Sequence, residues 1–150
     1  MSNIVHVSIL NRLKTLIGAD FTSGFSGLNL TNSVVIGALL NAPLIPSASL
    51  IFVDTIEQQG RTLGRYTGES VYQVVCYAGG TDLESRLKNV MNLAGDIQKA
   101  ITIDRTLGLN GLTEDVIVNF TAVDGEEYGI MHAGVALLEI RVSHQSLYGV

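Results

Sequence analysis

The chain has 150 residues, 47% of them hydrophobic and only 15% charged, and it carries a net charge of -5. That balance excludes an intrinsically disordered chain, which needs few apolar residues and much net charge, and it lacks the basic excess of a nucleic-acid-binding footprint. The length fits one domain, expected to span 1–150. Charged residues fall well short of the ~25% of ordinary soluble domains, so part of the surface is expected to be hidden against copies or partners.

Read in chain order, the first eighteen residues predict an amphipathic helix. Ile4, Val7, Ile9 or Leu10, Leu13, Leu16 and Ile17 recur at spacings of three and four, and Gly18 supplies a stop. Residues 20–33 mix Ser, Thr, Asn and Gly and predict a loop with one short strand. Val34 to Leu40 is apolar and ends at Pro43 and Pro46; its pattern fits helix or strand equally. Leu50 to Ile56 predicts a strand, Gln58-Gln59-Gly60 a turn, and Arg61 to Thr67 a strand pairing back, broken at Gly68. Val71 to Ala78 is β-branched or aromatic at most positions and apolar on both faces. It predicts a central strand with something packed on each side.

Gly79-Gly80 ends that strand, and Thr81 with Glu84 fits a capping box that opens a long helix. Leu83, Leu87, Val90, Ala94, Ile97 and Ile101 form its expected core stripe, with Arg86, Lys88, Asn92, Asp96 and Lys99 lying off it. Two strands follow. Val116, Val118, Phe120 and Ala122 alternate with Ile117, Asn119 and Thr121; after a turn at Asp124-Gly125, Ala136, Leu138, Ile140 and Val142 alternate with Leu137, Glu139, Arg141 and Ser143. The expected class is α+β, a mainly antiparallel sheet flanked by an N-terminal helix and one long central helix.

Chemistry-bearing patterns are sparse. His6, His132 and His144 show no zinc-binding spacing, although His132 with Glu126 and Glu127 has the donor types for a metal. The plainer reading is a solvated turn. Cys76 is a single cysteine inside an apolar strand, which excludes an intrachain disulfide and gives a thiol no electropositive setting. Ser143 and His144 are strand neighbours and point to opposite faces, so they cannot act as nucleophile and base. Gly60, Gly64 and Gly68 lack the lysine of a phosphate loop, and Gly79-Gly80 alone is a plain turn before a helix. No catalytic residue, metal ligand or cofactor is assigned. The start, Met1-Ser-Asn-Ile-Val-His, shows no secretory leader, and the longest apolar run is far below the ~20 residues that cross a bilayer. The expected setting is a soluble one in a reducing compartment.

The charge is concentrated. Glu114, Asp115, Asp124, Glu126 and Glu127 lie in one stretch without a base, while the other nine acids equal the nine bases in number. This segment is either a set of solvated strand ends or a patch that repels DNA or meets a basic partner.

From Gln73 onward the order of features resembles the tail terminator (tail-completion or neck) proteins of tailed bacteriophages. The matching pieces are the strand Val71-Tyr-Gln-Val-Val-Cys-Tyr77, the helix through Asn92 to Ala100, the segment Ile103-Asp-Arg-Thr-Leu-Gly-Leu-Asn-Gly111 with Leu-Thr-Glu-Asp-Val116 after it, and the last strand Ala136 to Val142. The N-terminal helix fits as well, and residues 20–48 match poorly. The resemblance implies a structural virion protein without enzymatic activity. It implies a homo-hexameric ring that caps the head-proximal end of a tail tube, stops its polymerisation and docks to the head–tail connector or head-completion protein. DNA would pass through the lumen unbound, and the subunit would be assembled in the host cytoplasm with no membrane partner. On that reading Glu114, Asp115, Asp124, Glu126, Glu127 and Glu139 are the candidates to line the lumen or its rim. The rival readings are another head–tail connector subunit, or a small ligand-binding or enzymatic domain using Gly79-Gly80, Glu126 and His132.

Overall fold

The computed structural model of the protein describes residues 5–37, 45–62, 65–109, 113–125 and 133–147, with the side chains at 56–62, 65–67, 114, 124 and 145–147 excepted. Two helices and five strands follow one another: α1 (Val5–Ile17), β1 (Val34–Ile36), β2 (Ser47–Thr62), β3 (Arg65–Gly79), α2 (Leu83–Thr102), β4 (Thr113–Asp124) and β5 (Ala133–Leu147). They form a single sheet in the order β1-β2-β3-β5-β4, antiparallel throughout except for β1 beside β2. This is the α+β architecture that the alternation of apolar residues predicts.

The segment at 34–40 resolves at its start into strand: Val34, Val35 and Ile36 pair with Ala48, Ser49 and Leu50. Residues 38–44 lie outside the described residues. The turn expected at Gln58-Gln59-Gly60 is absent. The strand runs on to Thr62, which pairs with Arg65, so the hairpin is longer than expected and Gly68 lies inside β3, opposite Glu57 and His144. Continuous pairing on both sides of β3 satisfies the backbone there, so a glycine weakens the strand without ending it.

Both helices cover the same side of the sheet. Val5, Ile9, Leu13 and Ile17 of α1 share one cluster with Val90, Leu93, Ile97 and Ile101 of α2 and with Leu50, Tyr72, Val74, Cys76, Val118, Leu138 and Ile140. Those strand residues alternate with neighbours on the other face. Burying one such Leu or Ile side chain contributes about 1.5–3 kcal/mol. β3 is central, and the expectation that it is packed on each side holds over Val71 to Ala78: on the second face Val71, Val75 and Tyr77 are buried as well, the last two in a small cluster with Val135.

The predicted stripes hold at Ile9, Leu13 and Ile17 of α1 and at Val90, Ala94, Ile97 and Ile101 of α2, and differ near the helix starts. In α1 the buried positions step by four, from Val5 to Ile17, and Val7 is exposed. In α2 the cap is Asp82, not Thr81: its side chain accepts the Ser85 N–H at 2.7 Å. Leu83 is 57% exposed and Leu87 half-buried, whereas Arg86 and Asp96 are buried. At Arg86 the helix backbone approaches the sheet closely. A Cβ on Gly134 would sit 2.4 Å from the Arg86 carbonyl oxygen, and one on Gly80 2.6 Å from the Arg86 nitrogen.

Buried Asp96 has a structural task. Its carboxylate accepts the N–H groups of Phe25 at 2.9 Å and Ser26 at 2.8 Å, pinning the 20–33 loop to α2. Gly24 permits this, since a Cβ there would stand 2.5 Å from Asp96 Oδ1. The loop carries the short strand-like contact expected of it, a bridge between Asp20 and Asn29.

The open face of the sheet as candidate functional surface

Alternate strand residues on the face away from α1 and α2 stand in rows across β3, β5 and β4. Gln73 lies opposite Glu139, and Glu139 opposite Asn119; the next row is Val71, Arg141 and Ile117, and the one beyond it Glu69, Ser143 and Asp115. In the other direction come Val75, Leu137 and Thr121, then Tyr77, Val135 and Val123. The face thus grades from an apolar end near Gly79 to a charged end near Glu69.

At the charged end one cation is shared by two carboxylates. Arg141 donates from Nε to Glu139 at 2.5 Å and from an Nη to Glu69 at 2.9 Å. These hydrogen bonds, to Glu139 first and then Glu69, raise the guanidinium pKa further above its ordinary value. The triad keeps a net charge of -1, and exposed ion pairs of this kind add at most about 1 kcal/mol each to folding. Asp115, half-buried, stands 3.8 Å from Arg105.

Between the ends lies a shallow depression of about 260 Å³ walled by Gln73, Asn119, Thr121, Leu137 and Glu139. Its one titratable lining group is Glu139, so it brings no acid–base pair together. Among the described residues no three His, Cys, Asp or Glu side chains converge to hold a metal. The Cys76 thiol is buried, and burial pushes its pKa up to about 12, far from a reactive thiolate. Ser143 and His144 face opposite sides, with Ser143 half-buried on the open face and His144 buried under α1. No described helix is long and apolar enough to cross a membrane.

Of the acidic residues singled out by sequence, the structure places Glu139 in the middle of the open face and Asp115 at its end. Glu114 and Asp124 are strand residues of β4 whose side chains lie outside the described set, as do Glu126, Glu127 and His132 altogether. The residue that sequence reasoning missed is Glu69. It keeps the period of two with Val71 and Gln73, and that was the available signal, but its partner Arg141 is 72 positions away.

The segment that carried the resemblance, Asp104 to Gly108, forms a tight loop after α2. The Asp104 carboxylate accepts from the Thr106 hydroxyl at 2.7 Å and the Thr106 N–H at 2.9 Å, which holds its pKa below the usual carboxylate range. Buried Leu107 adopts a left-handed φ of 56°, and Arg12 of α1 donates from Nε to the Leu107 carbonyl at 2.7 Å. The Thr113 hydroxyl donates to the Thr106 carbonyl. The loop thereby ties both helices to the start of β4.

No protein-family model and no curated protein matches the chain. Among solved structures, a chain of the virion of a native gene transfer agent particle is similar: the likeness covers 97% of this chain and 100% of that one, with a TM-score of 0.68 at 13% identity. The two share a fold from end to end.

Proposed function

We propose that the protein is a non-enzymatic structural component of a virion, and that within the virion it is a tail terminator. In this reading 1–150 is one tail-terminator domain and six copies form a ring on the head-proximal end of the tail tube. The ring stops tube growth and presents the docking surface for the head–tail connector or head-completion protein. Virion-level support comes from the fold shared over the whole chain with a subunit of a gene transfer agent virion. The choice of tail terminator within the virion rests on the feature order from Val71 to Val142 together with the Asp104–Gly108 loop.

The open face suits the wall of a DNA conduit. Its cation Arg141 is neutralised by Glu69 and Glu139, and the surplus charge is negative. Phosphate contacts add salt-dependent affinity, so a wall whose Arg141 is held by two carboxylates and whose Arg105 stands beside Asp115 lets DNA pass without holding it. Glu139, Glu69 and Asp115 are the described carboxylates for this role. Glu114, Asp124, Glu126 and Glu127 stay candidates for the same role on their charge alone. Assembly would take place in the host cytoplasm.

The test is a polymerisation assay with the tail tube protein of the same particle. Tubes grown with this protein should end at a defined maximum length and carry a cap at one end. Tubes whose length distribution is unaffected by it would overturn the tail-terminator reading.

A further inference from the structure

On the side of the sheet opposite the carboxylates, the first turns of α1 rest on an imidazole and aromatic cluster. The His6 ring and the His144 ring of β5 meet edge to face with centroids 4.9 Å apart, and His144 is 1% exposed. The His6 ring also lies 5.6 Å from Phe52 of β2, which is 5.5 Å from Tyr72 of β3. His6 Nδ1 is 2.8 Å from the Ser70 hydroxyl, and the Tyr72 hydroxyl donates to the His6 carbonyl at 3.1 Å. One residue of α1 is therefore held through both its ring and its backbone.

This arrangement suits two neutral rings. A proton on either places a charge among Phe52, Tyr72 and the second imidazole, and a proton on both sets like charges about 5 Å apart. Ser70 can donate or accept, so its bond survives protonation; the ring-to-ring contact is what protonation strains. Burial lowers the pKa of His144 to about 4, with the neighbouring His6 adding to the effect, and burial lowers His6 too. The described charged groups of the surrounding elements have partners of their own. Arg12 is on the Leu107 carbonyl, Asp104 on Thr106, Asp54 on the Thr55 N–H and Asp115 near Arg105, while Glu69 and Arg141 pair on the other face.

We propose that His6 and His144 form an acid-operated latch, in which protonation parts the two rings and frees the first two turns of α1 from the sheet while α2 and strands β3, β5 and β4 stay folded. Opening uncovers buried Tyr72 and the rest of the already half-exposed Phe52 ring on the helix-covered side, and leaves the carboxylate face unchanged. The latch does not depend on the virion reading.

Hydrogen–deuterium exchange of the full chain at pH 7.5 and 4.5, with times scaled for the intrinsic rate, tests it. Residues 5–11 should lose protection at least about tenfold in acid, the effect of one pKa unit, while peptides from α2 and β5 keep theirs. In His144→Phe, which keeps a ring and cannot be protonated, the loss should shrink to less than about threefold. Acid-insensitive protection of α1, an equal loss in His144→Phe, or simultaneous loss across the whole chain would each overturn the latch. Should that variant fail to fold, the imidazole C2–H resonances of the unmodified protein decide. Midpoints that coincide with the α1 amide shifts support the latch, and ring titration with α1 unmoved refutes it.

Discussion

The two faces of the sheet are made by the same strands and share almost nothing else. On the helix-covered face, residues such as Val74, Leu138 and Ile140 are fully buried beneath α1 and α2. On the other, half-buried Gln73 stands in a row with exposed Glu139 and Asn119, and Ile117 is 54% exposed. A period of two lets β4 and the middle of β5 serve stability with their even positions and expose odd ones such as Ile117, Asn119, Glu139 and Arg141. The contrast teaches where each kind of substitution should register.

The largest loss is expected from the covered face. Leu93→Ala or Ile97→Ala should cost about 2–5 kcal/mol, read as a lowered midpoint in urea, whereas Ile117→Ala on the open face should not. Next comes the close approach of β5 to α2. Gly134→Ala forces a Cβ against the Arg86 carbonyl and should cost about 1–3 kcal/mol in the same assay. Asp96→Asn removes the charge that two loop N–H groups point at and should cost roughly 1.5–3 kcal/mol, with faster exchange at Phe25 and Ser26.

Acid should act on the covered face as well. The folded pKa of His144 lies below the ordinary 6.5, so the unfolded chain takes the proton first. Its stabilising contribution is complete above about pH 6.5 and is lost as pH falls towards 4, a decline of about 2 kcal/mol after allowance for screening. A urea midpoint followed from pH 7.5 to 4 checks this. The smallest effect on folding is expected from the open face. Glu69→Gln with Glu139→Gln should change stability by about 1 kcal/mol or less, while Glu69→Lys with Glu139→Lys should give assembled particles that release DNA more slowly.

Strand alternation made the sheet legible in the sequence, and Ala136 to Val142 reads in the structure as it does on paper. Helix α2 was legible as a helix, and its stripe held at Val90, Ala94, Ile97 and Ile101; the miss is confined to its first turns, where Leu83 is exposed and Arg86 buried. There Gly80 and Gly134, one of them 48 residues beyond Arg86, admit the Arg86 backbone. Asp96 looked solvated because its partners at 25 and 26 sit in a loop with no pattern of its own. Cys76 was read as inert, and its burial and raised pKa agree. The acidic stretch was visible as composition. Its centre on the open face shifted to Glu139 and Glu69 only when the register of β3 against β5 placed Arg141 between them.

The central proposal, a ring whose lumen is lined by the open face, is tested most directly by cryo-electron microscopy of the purified chain. The account predicts closed six-fold rings with Glu69, Arg141 and Glu139 facing the axis. Monomers or two-fold dimers, or rings with α1 and α2 on the lumen wall, would contradict it.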